Sequence, residues 1–288
     1  MGRIAYVNGR YARHADAAVH IEDRGFQFAD AIYEVWALVD GAFTDDEGHF
    51  ARLKRSLSEL EIPQPMSEAA LRIVLRETVR RNGVRDGLVY LQISRGQARR
   101  DHPFPDPAPH PTVVVTVKAI DPIVMSAKAE KGGAVITLPD QRWGRCDIKT
   151  VGLLPNAMAK TAARRAGAIE AWLVDKEGLV TEGSSTNAWI VDANGVLRTR
   201  DTAANILRGV TRANLITLAA ELQLKLEERP FTVAEAQAAR EAFFTAASAF
   251  VTPVTSIDGK PVGDGRPGPV ALRLRRLYRE KASANAVE

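Results

Sequence analysis

Lys149 ends the segment Arg145-Cys146-Asp147-Ile148-Lys149, and Glu182 stands just before the small-residue run Gly183-Ser184-Ser185-Thr186-Asn187. A primary amine can condense with an aldehyde. A carboxylate can keep a pyridine nitrogen protonated, because the opposite charge stabilises the pyridinium. Together they could serve an aldehyde cofactor built on a pyridine ring, which in its protonated form takes up electrons when a substrate Cα–H bond breaks. Such a lysine must spend time as a neutral amine, which burial and nearby cations favour. We read 145–149 as the end of a strand-like run, with Arg145 close enough to act as such a cation. Taken singly, the lysine is one of 39 basic residues, and Glu182-Gly183, like Glu177-Gly178, could be an ordinary turn.

Two further groups could complete a site. Leu207-Arg208-Gly209-Val210-Thr211-Arg212 opens a helix after a glycine. The free amides of a first turn, with the Thr211 hydroxyl, suit a phosphate, and Arg52 could clamp the same anion through two hydrogen bonds. Thr211 could equally be a plain helix cap. Arg100 and His102 lie two positions apart in a long loop, where an extended backbone points both side chains the same way, toward a substrate carboxylate. Tyr33 could add a phenol there. A solvated basic loop and a core aromatic are the plainer readings of these three.

The elements that must position these residues are partly legible. Ile4–Val7 reads as a strand with a hairpin turn at Asn8-Gly9, and Asp40-Gly41 marks a second hairpin after a strand reaching Val39. His49–Leu60 has helical spacing, and Ser67 caps another helix. Leu88–Ser94 and Thr112–Ala119 read as strands, flanking a loop from Arg95 to Pro111 whose length points to function. The pattern loses its period around Ile120–Ala129, where we place the boundary between lobes: residues 1–120, a linker over 121–129, and residues 130–288. Beyond it come strands at Ala134–Leu138, Glu170–Val174, Ala188–Val191 and Ala242–Ala246, with helices at Asn156–Ala166 and Thr211–Leu222. Strands and helices mix without regular alternation, which indicates an α+β fold.

Composition bounds the rest. The 288 residues are 45% hydrophobic and 26% charged, with a net charge of +4 spread along the chain, which disfavours nucleic-acid binding. Leu272–Arg279 is the densest basic stretch; it reads as a terminal helix with a leucine face, or as a contact for an acidic partner. The single Cys146 excludes an intrachain disulfide and suits a reducing compartment. No stretch reaches the roughly 20 apolar residues of a membrane span, and the first residues lack a signal core, so a cytoplasmic location is expected. The five histidines show no metal-ligand spacing. Gly263-Asp264-Gly265-Arg266-Pro267-Gly268 has the spacing of a dinucleotide loop but too little chain after it, and reads as a turn.

These motifs, in order over nearly the whole chain, resemble the class IV, fold type IV family of pyridoxal phosphate enzymes, and within it the D-amino acid aminotransferases. The resemblance runs through Glu22–Phe28, Tyr33-Glu34, His49-x-x-Arg52, Arg95-Gly96, Arg100-x-His102, Arg142-Trp143, Arg145–Lys149, Thr181–Asn187 and Gly209–Arg212. It continues at Phe244-Thr245, Thr252-Pro253-Val254 and Ile257–Lys260. It implies a smaller N-terminal α/β lobe and a larger, barrel-like C-terminal lobe with flanking helices. It implies Lys149 as the cofactor lysine and proton shuttle, Glu182 on the ring nitrogen, and Arg52, Val210 and Thr211 at the phosphate. Ser185, Leu207 and Ala247 are further cofactor positions. Tyr33, Arg100 and His102 are implied to hold the substrate carboxylate, in a homodimer whose Arg100–His102 loop crosses the interface. Transamination between D-alanine and 2-oxoglutarate is the activity expected. Branched-chain L-amino acid transaminase, (R)-amine transaminase and aminodeoxychorismate lyase share the fold, and a catalytically silent interaction protein is the alternative of another class. Two places depart from the family pattern. Ala246-Ala247 then Ser248 stand where a hydroxyl residue near the phosphate is usual, and Ala29 and Ala31 stand where glycines are common.

Overall fold

The computed structural model describes residues 3–203 and 205–284. The chain divides into two compact units.

The first unit comprises residues up to 121 together with 148–152. Its elements are β1 (Ile4–Val7), β2 (Arg10–Arg13), α1 (Arg24–Phe28), β3 (Ala31–Val39), β4 (Ala42–Phe43), α2 (Asp46–Glu59), α3 (Glu68–Asn82), β5 (Gly87–Ser94) and β6 (Thr112–Ala119). They form an antiparallel sheet in the order β2-β1-β6-β5-β3-β4. Both expected hairpins are present, and their turns explain the residue choice: Asn8-Gly9 and Asp40-Gly41 all have positive φ, the conformation that asparagine, aspartate and glycine tolerate best. Strand alternation sends Ile32, Trp36, Leu91 and Ile93 into a core covered by α2 and α3. The opposite face carries Tyr33, Val35, Tyr90 and Gln92, each half-buried. Ser67 caps α3 by accepting from the Ala70 amide at 3.3 Å, as expected.

The second unit comprises residues 122–147 and 153–284. It holds α4 (Pro122–Lys131), β7 (Gly133–Pro139), α5 (Leu154–Arg165), β8 (Glu170–Val174), β9 (Val180–Gly183), β10 (Asn187–Val191), β11 (Leu197–Thr199) and α6 (Val210–Glu221). These are followed by β12 (Leu226–Glu228), α7 (Val233–Gln237), β13 (Glu241–Ala246), β14 (Phe250–Ile257), β15 (Lys260–Pro261) and α8 (Pro269–Ala284). The sheet order is β12-β11-β10-β13-β14-β7-β8-β9. β9 lies at one edge and β10 third from the other, yet only Ser184–Thr186 join them, and Gly183 donates to the Thr186 carbonyl at 2.7 Å. A sheet so connected must curl on itself. Its two faces are both apolar: Trp172, Ile190 and Phe244 pack on one side, and Trp189 and Phe243 pack under α6 and α8 on the other.

This α+β architecture matches the expected fold class, with two differences of detail. The stretch 121–129, read as aperiodic, is mostly α4. Pro122 opens that helix, where a missing N–H costs nothing. The run before Lys149 is a loop rather than a strand. The basic C-terminal stretch is helix α8, which buries Leu274 and Tyr278. Its polar face is not wholly solvated, for Arg275 is buried and donates to the Ala249 and Val251 carbonyls, both at 2.8 Å. Gly263 and Gly265 have positive φ in a turn before it. Among the described residues, no helix is long and apolar enough to cross a membrane.

Of the two alanines at positions where the resemblance leads one to expect glycine, Ala29 is the left-handed C-cap of α1 (φ 56°), whereas Ala31 is ordinary strand. In the left-handed region an alanine costs roughly 1 kcal/mol relative to glycine. Ala29→Gly is expected to raise the melting temperature by about 2–4 °C; an unchanged or lower value in calorimetry would show that the site carries no strain.

Candidate active site

In the first unit, Lys149 is set against the edge of β3. Its carbonyl accepts from the Tyr33 amide at 3.0 Å, and the Val151 amide donates to the Ala31 carbonyl at 3.1 Å. Ile148 is buried in the core beneath, anchoring the segment. The Lys149 Nζ lies 4.1 Å from the centre of the Tyr33 ring, over its face. Tyr33 in turn stacks on Tyr90 at 5.6 Å. Burial pushes the Tyr90 phenol up to about 12, so Tyr90 stays neutral at physiological pH. Lys149 and Tyr33 are therefore brought together.

Arg52 is positioned by a group that sequence reading named only as a motif. Glu34 points into the core and is fully buried. It accepts from Arg52 Nε at 2.7 Å, from Arg52 Nη2 at 2.7 Å and from His49 Nδ1 at 2.8 Å. Burial alone would push the Glu34 carboxyl up, but Arg52 and then His49 overcome it and hold it down to about 2. The spacing His49-x-x-Arg52 puts both side chains on one face of α2. A guanidinium clamped on two of its nitrogens has a set direction, which a surface arginine lacks. Arg100 and His102 are exposed, and both sit against Phe28, at 5.1 and 5.6 Å from its ring centre.

In the second unit, Glu182 lies on β9 and is buried. Its Oε1 accepts from Arg142 Nη1 and from the Leu207 amide at 3.1 Å, and its Oε2 accepts from Asn187 Nδ2 at 2.8 Å. Arg142 is itself held by Asp140, through Nε at 2.9 Å and Nη2 at 2.7 Å. Burial disfavours the Arg142 charge, but Asp140 and Glu182 more than compensate and raise its pKa. The result is a buried carboxylate paired with a guanidinium, with its orientation fixed by three donors. Arg145, expected to assist Lys149, pairs with Asp147 at 2.9 Å. Burial pushes the Cys146 thiol up to about 11, which makes it a poor nucleophile.

The same network reaches α6. Asn187 Nδ2 also donates to the Leu207 carbonyl at 3.1 Å, so one amide ties Glu182 to the approach of that helix. Gly209 is the cap residue, and a Cβ there would lie 2.0 Å from Asn187 Oδ1, so a larger residue would have to displace the Asn187 side chain. The Thr211 hydroxyl is buried and has no hydrogen-bond partner among the described residues. A buried hydroxyl without a partner, one residue into a helix of 12, is a donor suited to an anion. Val210 is buried beside it. Ser185 is exposed, and its hydroxyl donates to the buried Glu170 at 3.2 Å. Ala247 lies in the turn between β13 and β14.

The second unit thus holds a buried, arginine-paired carboxylate beside a helix start, and the first holds a lysine set against a sheet strand; the comparisons with known proteins supply the family. The model of amino-transferase class IV matches residues 31–257. A D-alanine aminotransferase of Bacillus licheniformis is 43% identical over 270 residues, covering 93% of both chains. One of Listeria monocytogenes is 39% identical over 276 residues, covering 96% of this chain and 94% of its own. A T.th. branched-chain amino acid aminotransferase, solved with pyridoxamine 5'-phosphate, superposes with a TM-score of 0.89 at 28% identity, covering 99% of this chain and 95% of that one. The chain belongs to the class IV aminotransferases.

The Glu34 cluster gives a pH test. Its depressed pKa contributes stability that is present above the ordinary carboxylate value and lost as pH falls toward about 2. That linked contribution is on the order of 3 kcal/mol. Glu34→Gln is expected to be less stable at neutral pH but to lose stability less steeply than wild type between about pH 4.5 and 2. Parallel denaturation curves for the two proteins over that range would contradict the assignment.

Proposed function

We propose that this chain is a pyridoxal 5'-phosphate-dependent transaminase that moves an amino group from a D-amino acid, D-alanine first, to a 2-oxo acid such as 2-oxoglutarate. The products are pyruvate and D-glutamate. The observation that carries this reading is Glu182, a buried carboxylate paired with Arg142 and hydrogen-bonded by Asn187, next to the start of α6. The relatives named D-alanine aminotransferases, at 39–43% identity over almost the full chain, support the substrate class.

The residues present fit the cofactor. Lys149 would hold it covalently, and Glu182 would hold its ring nitrogen. Thr211, the first amides of α6 and Arg52 would hold its phosphate, with Val210, Leu207, Ser185 and Ala247 lining it. When bound, the cofactor supplies an electron sink for the pair released as the substrate Cα–H bond breaks. Lys149 Nζ takes the Cα proton and returns a proton on the way to the 2-oxo acid. Glu182, paired with Arg142, would favour the protonated form of the ring nitrogen. Arg100 and His102, with the Tyr33 phenol, bind and orient the α-carboxylate. The chain acts as a homodimer in which the exposed Arg100–His102 loop of one protomer serves its partner. The single cysteine, which suits a reducing compartment, supports a cytoplasmic location.

Three experiments check this reading. Purified protein with pyridoxal phosphate should show the absorbance of a lysine-bound cofactor near the visible edge, and D-alanine should bleach it. Lys149→Ala should lose both the band and turnover, and full activity in that variant would exclude Lys149 as the catalytic amine. In a panel of D- and L-amino acids against 2-oxoglutarate, D-alanine should lead; preference for branched L-amino acids would move the chain to the neighbouring activity on this fold. Arg100→Ala should raise KM for amino acids by about 100-fold while sparing simple amines. An equal loss on both would remove Arg100 from the carboxylate site.

A further inference from the structure

The segment Asp23-Arg24-Gly25-Phe26-Gln27-Phe28 carries part of the family pattern, yet the chemistry above leaves it without a role. Arg24 is buried at 2% exposure, far below what an arginine normally shows, and so are its neighbours Asp30 and Arg95. Asp30 Oδ2 accepts from Arg24 Nε at 2.8 Å and from Arg95 Nε at 2.7 Å. Arg95 is locked in turn, donating to the Glu61 carbonyl at 2.9 Å and to the Leu60 carbonyl at 2.6 Å. The remaining arm of Arg24 reaches the long loop. Its Nη1 donates to the Asp101 carbonyl at 2.7 Å and its Nη2 to the His102 carbonyl at 3.3 Å.

Those two carbonyls belong to the residue between Arg100 and His102 and to His102 itself. The side chains on either side then meet one surface, the ring of Phe28. The Arg24 guanidinium carbon lies 4.7 Å from its centre, that of Arg100 5.1 Å, and the His102 ring 5.6 Å. The base of the loop is joined to the same segment: Arg24 donates its amide to the Gly96 carbonyl at 2.9 Å, and Asp23 bridges Gln97. Gly96 cannot carry a side chain, since a Cβ would lie 2.1 Å from the His110 carbonyl. The loop is therefore tied at its base by backbone and at its tip by a buried guanidinium. A buried arginine is an expensive way to hold an exposed loop unless the residues at its tip need a fixed place.

We infer that Arg24 and Phe28 are positioning residues for the carboxylate-binding pair, Arg24 fixing the Asp101–His102 backbone and Phe28 serving as the surface against which Arg100 and His102 are spaced. The inference rests on the reading of Arg100 and His102 as the substrate-carboxylate site. Arg24 touches neither substrate nor cofactor; it acts through two carbonyls. Pre-set in this way, the pair binds the carboxylate without first ordering a flexible segment. This segment of the family pattern is thereby a device for specificity rather than for chemistry.

The test uses the cofactor-loaded protein. Arg24→Lys keeps the charge beside Asp30 but cannot span two carbonyls with a fixed fork. It is expected to raise KM for D-alanine about tenfold while kcat at saturation and the cofactor absorbance stay near wild type. Hydrogen exchange should speed up over residues 97–104 and remain unchanged elsewhere. Phe28→Leu, which leaves the buried ion pairs intact, should shift KM in the same direction, and it decides the matter if Arg24→Lys does not fold. Wild-type KM in the folded variant overturns the inference, as does exchange that rises across the whole unit with KM unchanged. Arg100→Ala separates the two levels: if it leaves KM untouched, the carboxylate reading falls, whereas if it raises KM and neither positioning variant does, only the present inference falls.

Discussion

The structure depends on carboxylates that have been taken out of water and must be met by guanidinium groups. Glu182, Glu34 and Asp30 are each buried, and each is paired: with Arg142, with Arg52, and with Arg24 and Arg95 together. Desolvating a carboxylate without such a partner costs several kcal/mol, a large part of a domain's net stability. The pairs are thus obligatory once the acids are inside, and they lock both partners in direction. Each fixes one candidate residue or segment: Arg142 orients Glu182, Glu34 orients Arg52, and Arg24 lies beneath the loop of Arg100 and His102. Breaking one partner leaves a buried charge uncompensated, so this scaffold tolerates change at these positions poorly.

Steric limits reinforce the charge network. Gly209 leaves room for Asn187, and Gly183 leaves room for Thr186, whose Oγ1 would lie 2.0 Å from a Cβ at that glycine. Both glycines border Glu182 or its ligands, so the chain is closely packed around that carboxylate. Ala29 shows the converse. There the backbone has kept the left-handed conformation of a glycine, and the alanine bears the strain.

Hairpins were legible in the sequence because a turn needing positive φ leaves its mark in two adjacent residues, as at Asn8-Gly9 and Asp40-Gly41. Amphipathic helices such as α2, α3 and α8 were legible because burial on one side repeats along the chain. α4 was not, since its apolar residues give no stripe. The setting of Lys149 was also hidden: its place comes from backbone pairing with β3, more than a hundred residues earlier, and not from a strand of its own. Arg142, Asn187 and Arg24 appeared only as letters in a pattern, because their partners are brought to them by tertiary folding. A motif showed which residues mattered, and the structure supplies the contacts that explain why. Thr211 lies between these cases. Its place at a helix start was readable, but only the coordinates reveal a buried hydroxyl with no partner among the described residues.

Membership of the class IV aminotransferases places the chain among enzymes that share one scaffold and differ in substrate. The central claim is narrower: of the lysines in this chain, Lys149 is the one that carries the cofactor. The most direct measurement is borohydride reduction of protein loaded with pyridoxal phosphate, followed by peptide mapping. The account predicts one covalent label, on the peptide containing Lys149. A label on another lysine, or none, would contradict it.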